Sequence, residues 1–125
     1  MEITLNHTIV ASYDHVKSAR FYARILGFEF VKEWGHFAIV KVNSTLTLDF
    51  MNKDSFSTLH LAFKVSDQQF SDILGRIKKD HVKYGSGPSS LENGETNNND
   101  GGQGAYFKDP DGHVLELITR DYIID

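Results

Sequence analysis

The sequence predicts an α+β fold of two tandem β-α-β-β-β modules in one domain over residues 1–125, module one at about 2–51 and module two at about 56–120. Three observations predict it. His7 lies seven residues before Asp14 and His60 seven before Asp67, each pair joining a strand residue to the start of a helix. The two helical patterns that follow match in length within one residue. Each half then closes on an acid between apolar residues, Leu48-Asp49-Phe50 and Leu115-Glu116-Leu117. A supersecondary unit used twice is the simplest source of such self-similarity.

Taken in order, Ile3 to Val10 is rich in β-branched residues and reads as a strand with His7 on the face of Leu5 and Ile9. Ser12 and Asp14 offer caps to a helix from His15 to Leu26. There Val16, Ala19, Ala23 and Leu26 recur at helical spacing, and Gly27 stands where a left-handed cap is wanted. Phe28–Trp34, Phe37–Val42 and Thr45–Met51 follow as strands separated by the short links Gly35-His36 and Asn43-Ser44, a pattern that predicts an antiparallel meander.

The second half opens on Ser57 to Val65, where the strand period puts Leu59, Leu61, Phe63 and Val65 on a core face and His60 on the other with Thr58 and Ala62. Ser66 to Gln69 is a capping-box pattern, and Phe70, Ile73, Leu74 and Ile77 form the stripe of the helix it starts. His81–Tyr84 is a further strand expectation. Gly85 to Gly104 reads as a long, mobile polar loop poised as a lid, because it has few apolar residues to bury. Ala105–Phe107 and His113–Thr119 complete the set around a tight reversal at Lys108-Asp109-Pro110-Asp111-Gly112.

Composition bounds the function. With 40% hydrophobic residues the chain can bury a core without staples, and with no cysteine any metal must be held by nitrogen and oxygen. A net charge of −4 with scattered lysines and arginines offers nucleic acid no basic stripe. Apolar runs are too short to span a membrane, and the first residues lack the basic start and apolar core of a signal peptide. A cytoplasmic protein without membrane or nucleic-acid partners is expected.

His7, Asp49, His60 and Glu116 can all project from the strand faces opposite the helices. Two imidazoles and one or two carboxylates suit Fe, Mn, Ni, Co or Zn as a divalent ion, and a metal explains carboxylates on a half-buried face that otherwise cost several kcal/mol. Read alone, each acid has the alternative of pointing to solvent at the sheet rim. His15, His36, His81 and His113 are expected in surface or turn-capping roles. No serine-histidine-aspartate order is recognisable, and Gly101-Gly102-Gln103-Gly104 leads into a strand rather than the helix a phosphate cradle needs.

Leu5-Asn6-His7, Ala19-Arg20-Phe21-Tyr22, Leu26-Gly27-Phe28, Leu59 to Phe63 and Tyr106 to His113 with Leu115-Glu116-Leu117 together resemble the vicinal-oxygen-chelate superfamily of glyoxalases, extradiol dioxygenases and fosfomycin- and bleomycin-resistance proteins. The resemblance covers nearly the whole chain. It implies the glyoxalase/bleomycin resistance/dihydroxybiphenyl dioxygenase-like fold, with His7, His60 and Glu116 as metal ligands. Asp49 stands where glyoxalase-like members carry a fourth acidic ligand, one methylene longer. Ile9 and the Asn97–Gly102 loop depart from the fosfomycin enzymes.

The implied function is a metal-dependent enzyme that chelates vicinal oxygens of a small substrate. Glyoxalase-type lyase or isomerase chemistry comes first, with Glu116 or Asp49 as catalytic base; extradiol-type dioxygenation comes second. A non-catalytic dimeric module for an antibiotic or aromatic ligand, walled by Trp34, Phe37 and Tyr106, is the non-enzymatic alternative. Tyr106 is also read as a donor behind the ligands. A homodimer is expected, since a half-shell module needs a partner half and the link at Asn52–Ser55 is short.

Overall fold

A computed structural model describes residues 2–124, and the chain divides into two compact units, Met1–Ser57 and Thr58–Asp125. The first runs β1 (His7–Ser12), α1 (His15–Leu26), β2 (Glu29–Trp34), β3 (Phe37–Lys41) and β4 (Thr47–Asn52); its sheet order is β1-β4-β3-β2. The second runs β5 (His60–Lys64), α2 (Asp67–Lys79), β6 (Tyr84–Gly85), β7 (Gly104–Lys108) and β8 (Val114–Ile118), in the order β5-β8-β7-β6. Each unit is therefore a β-α-β-β-β module with the same strand permutation. In both, the first strand pairs in parallel with the last, and the remaining pairs are antiparallel.

Local chemistry accounts for the helix boundaries. Asp14 caps α1 through Lys17 N–H, and Gly27 ends it at φ 79°, a left-handed conformation that costs a side-chain-bearing residue more. Ser66 caps α2 in a reciprocal box: Gln69 N–H donates to Ser66 Oγ at 3.1 Å, and Ser66 N–H donates to Gln69 Oε1 at 2.9 Å. The two caps are thus offset by one position, since Asp14 is itself a cap whereas Asp67 is the first residue inside its helix.

In the first unit Val10, Ala38, Val40, Leu48 and Phe50 are buried with Ala19, Tyr22 and Ile25 of α1, and Tyr22 meets Phe50 edge to face at 4.7 Å. His7, Ile9, Ile39 and Asp49 alternate onto the opposite, more open sheet face. In the second unit Ala105, Phe107, Leu115 and Leu117 are buried, while Leu61 and Phe63 on the same face are only half-buried because β5 stands at the end of its sheet order. Among the described residues no helix is long and apolar enough to cross a membrane.

The structure corrects the expected strand bounds: β1 starts at His7 rather than Ile3. The segment at His81–Tyr84 is not a strand: His81 has φ 57° and its amide bonds back to Lys78 O, so it finishes the helix exit, and pairing starts only at Tyr84. The polar loop after Gly85 is tied by its own asparagines. Asn97 Nδ2 donates to Ser86 O at 2.9 Å, Asn97 and Gly104 exchange two backbone bonds at 2.9 Å, and Asn93 Oδ1 accepts from Ser86 N and Glu95 N. Side-chain amides supply here the hydrogen bonds that a ladder supplies elsewhere.

Candidate metal centre

The open face of the second sheet carries His60, Glu116 and Tyr106. Glu116 on β8 lies opposite Ala62 on β5 and Tyr106 on β7, while His60 lies opposite Val114, one step diagonally away from the acid. That diagonal suits two long side chains leaning toward each other. His60 Nε2 and Glu116 Oε1 are 2.9 Å apart, with the imidazole half exposed and the carboxylate side chain 18% exposed. The Tyr106 hydroxyl donates to Glu116, and its ring centroid is 6.0 Å from that of His60. Burial, then the hydrogen bond to Glu116 and its negative charge, push the Tyr106 hydroxyl up to about 12. The phenol consequently keeps its proton at any physiological pH and acts as a donor to the carboxylate.

The donor set fits a divalent ion. Two ligand atoms each about 2.1 Å from a metal and at right angles to each other lie about 3.0 Å apart, close to the observed separation. One imidazole nitrogen and one carboxylate oxygen are also the donor types that intermediate divalent metals share. A divalent ion here would be held by His60 Nε2 and Glu116 Oε1 and would supply Lewis acidity to a bound oxygen ligand.

The first sheet has the same diagonal. His7 lies opposite Thr47, and Asp49 lies opposite Ile9, so the acid is again two positions beyond the strand partner of the histidine. The side chains make different contacts there. Asp49 Oδ1 accepts the Thr47 hydroxyl at 2.9 Å, and His7 Nδ1 pairs with Asn6 Oδ1 at 2.7 Å.

Of the remaining histidines, His15 and His36 line a cavity of about 460 Å³ with Gly35, Met51 and Asn52. The His15 amide donates to Asn52 Oδ1 at 2.7 Å. Of the surface or turn-capping roles expected for it, His113 has the second: it is fully buried and tied into the reversal. Asp109, Asp111 and His113 bring potential ligand atoms within 4.8 Å of one another, a buried grouping for which the Asp-Pro-Asp-Gly sequence signals only a turn. Two of their atoms also hold the backbone: Asp109 Oδ1 accepts from Asp111 N at 2.8 Å and His113 N at 2.9 Å, and His113 Nδ1 accepts from Leu59 N at 2.9 Å. Asp109 and His113 thereby brace the reversal, which Gly112 completes at φ 88°.

Two β-α-β-β-β modules, each placing a histidine and an acid diagonally on its open face, define a two-module α+β protein. The chain belongs to the Glyoxalase/Bleomycin resistance protein/Dioxygenase superfamily, whose model matches residues 4–117. Among curated relatives, the metallothiol transferase FosB of Lysinibacillus sphaericus (strain C3-41) is 25% identical over 122 residues, covering 93% of this chain and 82% of the relative. Among solved structures, oxidase ChaP-H2 superposes with a TM-score of 0.93 at 45% identity, over 98% of this chain and 97% of that one. The fosfomycin resistance protein FosX from Listeria monocytogenes, at 21% identity, a TM-score of 0.74 and coverage of 97% and 96%, shares the fold.

Proposed function

We propose that this chain is a divalent-metal-dependent oxidase acting on a small substrate with adjacent oxygen atoms. The His60–Glu116 pair at 2.9 Å on an open sheet face is the observation that supports the metal. The choice among reactions rests on 45% identity over nearly the full length to a protein named an oxidase, against 25% to the transferase FosB. This reverses the order in which the sequence alone ranks lyase and oxygen chemistry. The motifs shared across the superfamily hold the metal and leave the reaction open.

In this reading His60 and Glu116 are ligands; His7 is the third ligand and Asp49 a fourth acidic position, both carried from the sequence resemblance together with the homodimer. A bound Fe²⁺ or related ion supplies Lewis acidity, redox capacity and open coordination positions. Glu116 contributes the compensating negative charge. Tyr106, held in its protonated form, fixes the carboxylate's orientation and offers no base. The test is oxygen uptake by the Fe²⁺-loaded protein with a panel of catechols and hydroquinones, beside conversion of a methylglyoxal–glutathione adduct. Uptake that disappears in His60→Ala is expected. Turnover of the adduct without oxygen consumption, with no diol or quinol oxidised, overturns the oxidase reading in favour of the lyase one.

A further inference from the structure

We propose that His113 is a positioning residue, a buried acceptor that fixes the backbone at Leu59 and so sets His60 against Glu116; this rests on the metal reading above only for its functional consequence. Both hydrogen-bonding groups of Leu59 are held by consecutive residues, His113 just before β8 and Val114 at its start. Leu59 N–H donates to His113 Nδ1 at 2.9 Å, and Leu59 C=O accepts from Val114 N at 2.9 Å. His60 follows at once, as the first residue of β5. A strand start at the end of its sheet order has few other restraints, and Leu59 itself is 37% exposed.

The acceptor is well anchored. Because Nδ1 receives an amide proton, the buried imidazole is the neutral tautomer with its proton on Nε2. Asp109 holds the residue at both backbone groups, accepting from His113 N at 2.9 Å through Oδ1 and donating its own N–H to His113 O at 3.0 Å. His113 is three residues before Glu116 on the same chain segment. One turn therefore references the histidine and the carboxylate to a common point.

The other module is an internal control. Registering His7 with Thr47 and His60 with Val114 makes Leu46 the counterpart of His113 and Asn6 the counterpart of Leu59. The carbonyl bond is kept there, Thr47 N to Asn6 O at 3.0 Å, but a leucine has no acceptor for the preceding amide. In that module the histidine and the acid are each bonded to a different neighbour, Asn6 and Thr47. The imidazole clamp and the His–carboxylate contact occur together in one module and are both missing from the other among the described residues.

The experiment compares His113→Asn, whose Oδ1 can stand in for Nδ1, with His113→Leu, which keeps bulk without an acceptor. Crystal structures of the metal-free proteins are expected to show His60 Nε2–Glu116 Oε1 within hydrogen-bond reach in wild type and Asn variant, and opened beyond 3.5 Å in the Leu variant. Co²⁺ affinity is expected to fall about 10- to 100-fold in His113→Leu and to be largely restored in His113→Asn, while circular dichroism shows all three folded. A folded Leu variant that keeps the short contact and wild-type affinity overturns the proposal. Should the Leu variant not fold, amide exchange on wild type decides: Leu59 N–H must be as protected as Val114 N–H, and an unprotected Leu59 refutes the clamp. A wild type without Co²⁺ binding, in which the contact still depends on His113, refutes the metal reading and upholds the positioning role.

Discussion

Replacing Tyr106 by phenylalanine removes one hydroxyl and leaves the ring in its buried place on β7. The hydroxyl donates to Glu116, and a hydrogen bond to a charged group contributes about 1.5–3 kcal/mol. Loss of a partner behind a metal ligand commonly weakens metal affinity about 10- to 100-fold, which is roughly 1.4–2.7 kcal/mol, so two independent scales agree. Competition between the protein and a chelating dye for Co²⁺, in wild type and Tyr106→Phe, measures the change. The pH dependence has a definite sign. A folded-state value of about 12 against the ordinary 10 means that Tyr106 stabilises the native state fully below pH 10 and loses that contribution as pH climbs through 12. The phenolate absorbance of wild type should include a late-titrating contribution that is lost in Tyr106→Phe. An affinity within twofold of wild type, with the late-titrating contribution unchanged in the variant, refutes the reasoning.

Three further outcomes are expected. Ser66→Ala should lower stability by about 1 kcal/mol in urea unfolding, because it removes the acceptor for Gln69 N–H and breaks the reciprocal box; an unchanged midpoint counts against the cap. Asn97→Ala should raise the amide-exchange rate at Asn99, whose N–H donates to Asn97 Oδ1 at 3.1 Å, since the loop is tied by side-chain amides; exchange equal to wild type refutes that account. Asp49→Ala should change Co²⁺ affinity far less than Glu116→Ala, because the Asp49 carboxylate is already engaged by Thr47 at 2.9 Å; equal losses in dye competition would reverse the ranking.

The fold was legible because the repeat leaves local marks that do not depend on distant contacts. Helix α1 is bounded at His15 and Leu26 as its spacing and caps predict, and α2 begins behind the box at Ser66. Strand limits were less legible. The apolar residues Ile3 and Leu5 look like strand in composition, yet they are exposed and β1 begins at His7, where the parallel ladder with β4 begins. The inside of the loop after Gly85 was less legible for a related reason: asparagine and glycine mark a loop when counted, and the ties that Asn93 and Asn97 make show only once their partners are placed. His113 was hidden in the same way, since the Asp-Pro-Asp-Gly sequence announces a turn and says nothing about which amide, 54 positions earlier, the following imidazole will receive.

The pairing of His7 with Asp49 and of His60 with Glu116 by repeat spacing treats the modules as equivalent, and the register shows how far that holds. The backbone diagonal is the same in both. The surroundings of the acid differ at three matched positions: Thr47 for Val114, Ile39 for Tyr106 and Leu46 for His113. Thr47 takes up the Asp49 carboxylate, whereas Val114 has no group with which to compete for Glu116. Ile39 offers no hydroxyl where Tyr106 donates one. The shorter aspartate side chain then has both less reach and a nearer partner. Each of these differences favours a histidine–carboxylate contact in the second module and disfavours it in the first. Duplication thus sets two equivalent backbone frames, and the few side chains around each acid determine which frame presents an imidazole and a carboxylate together.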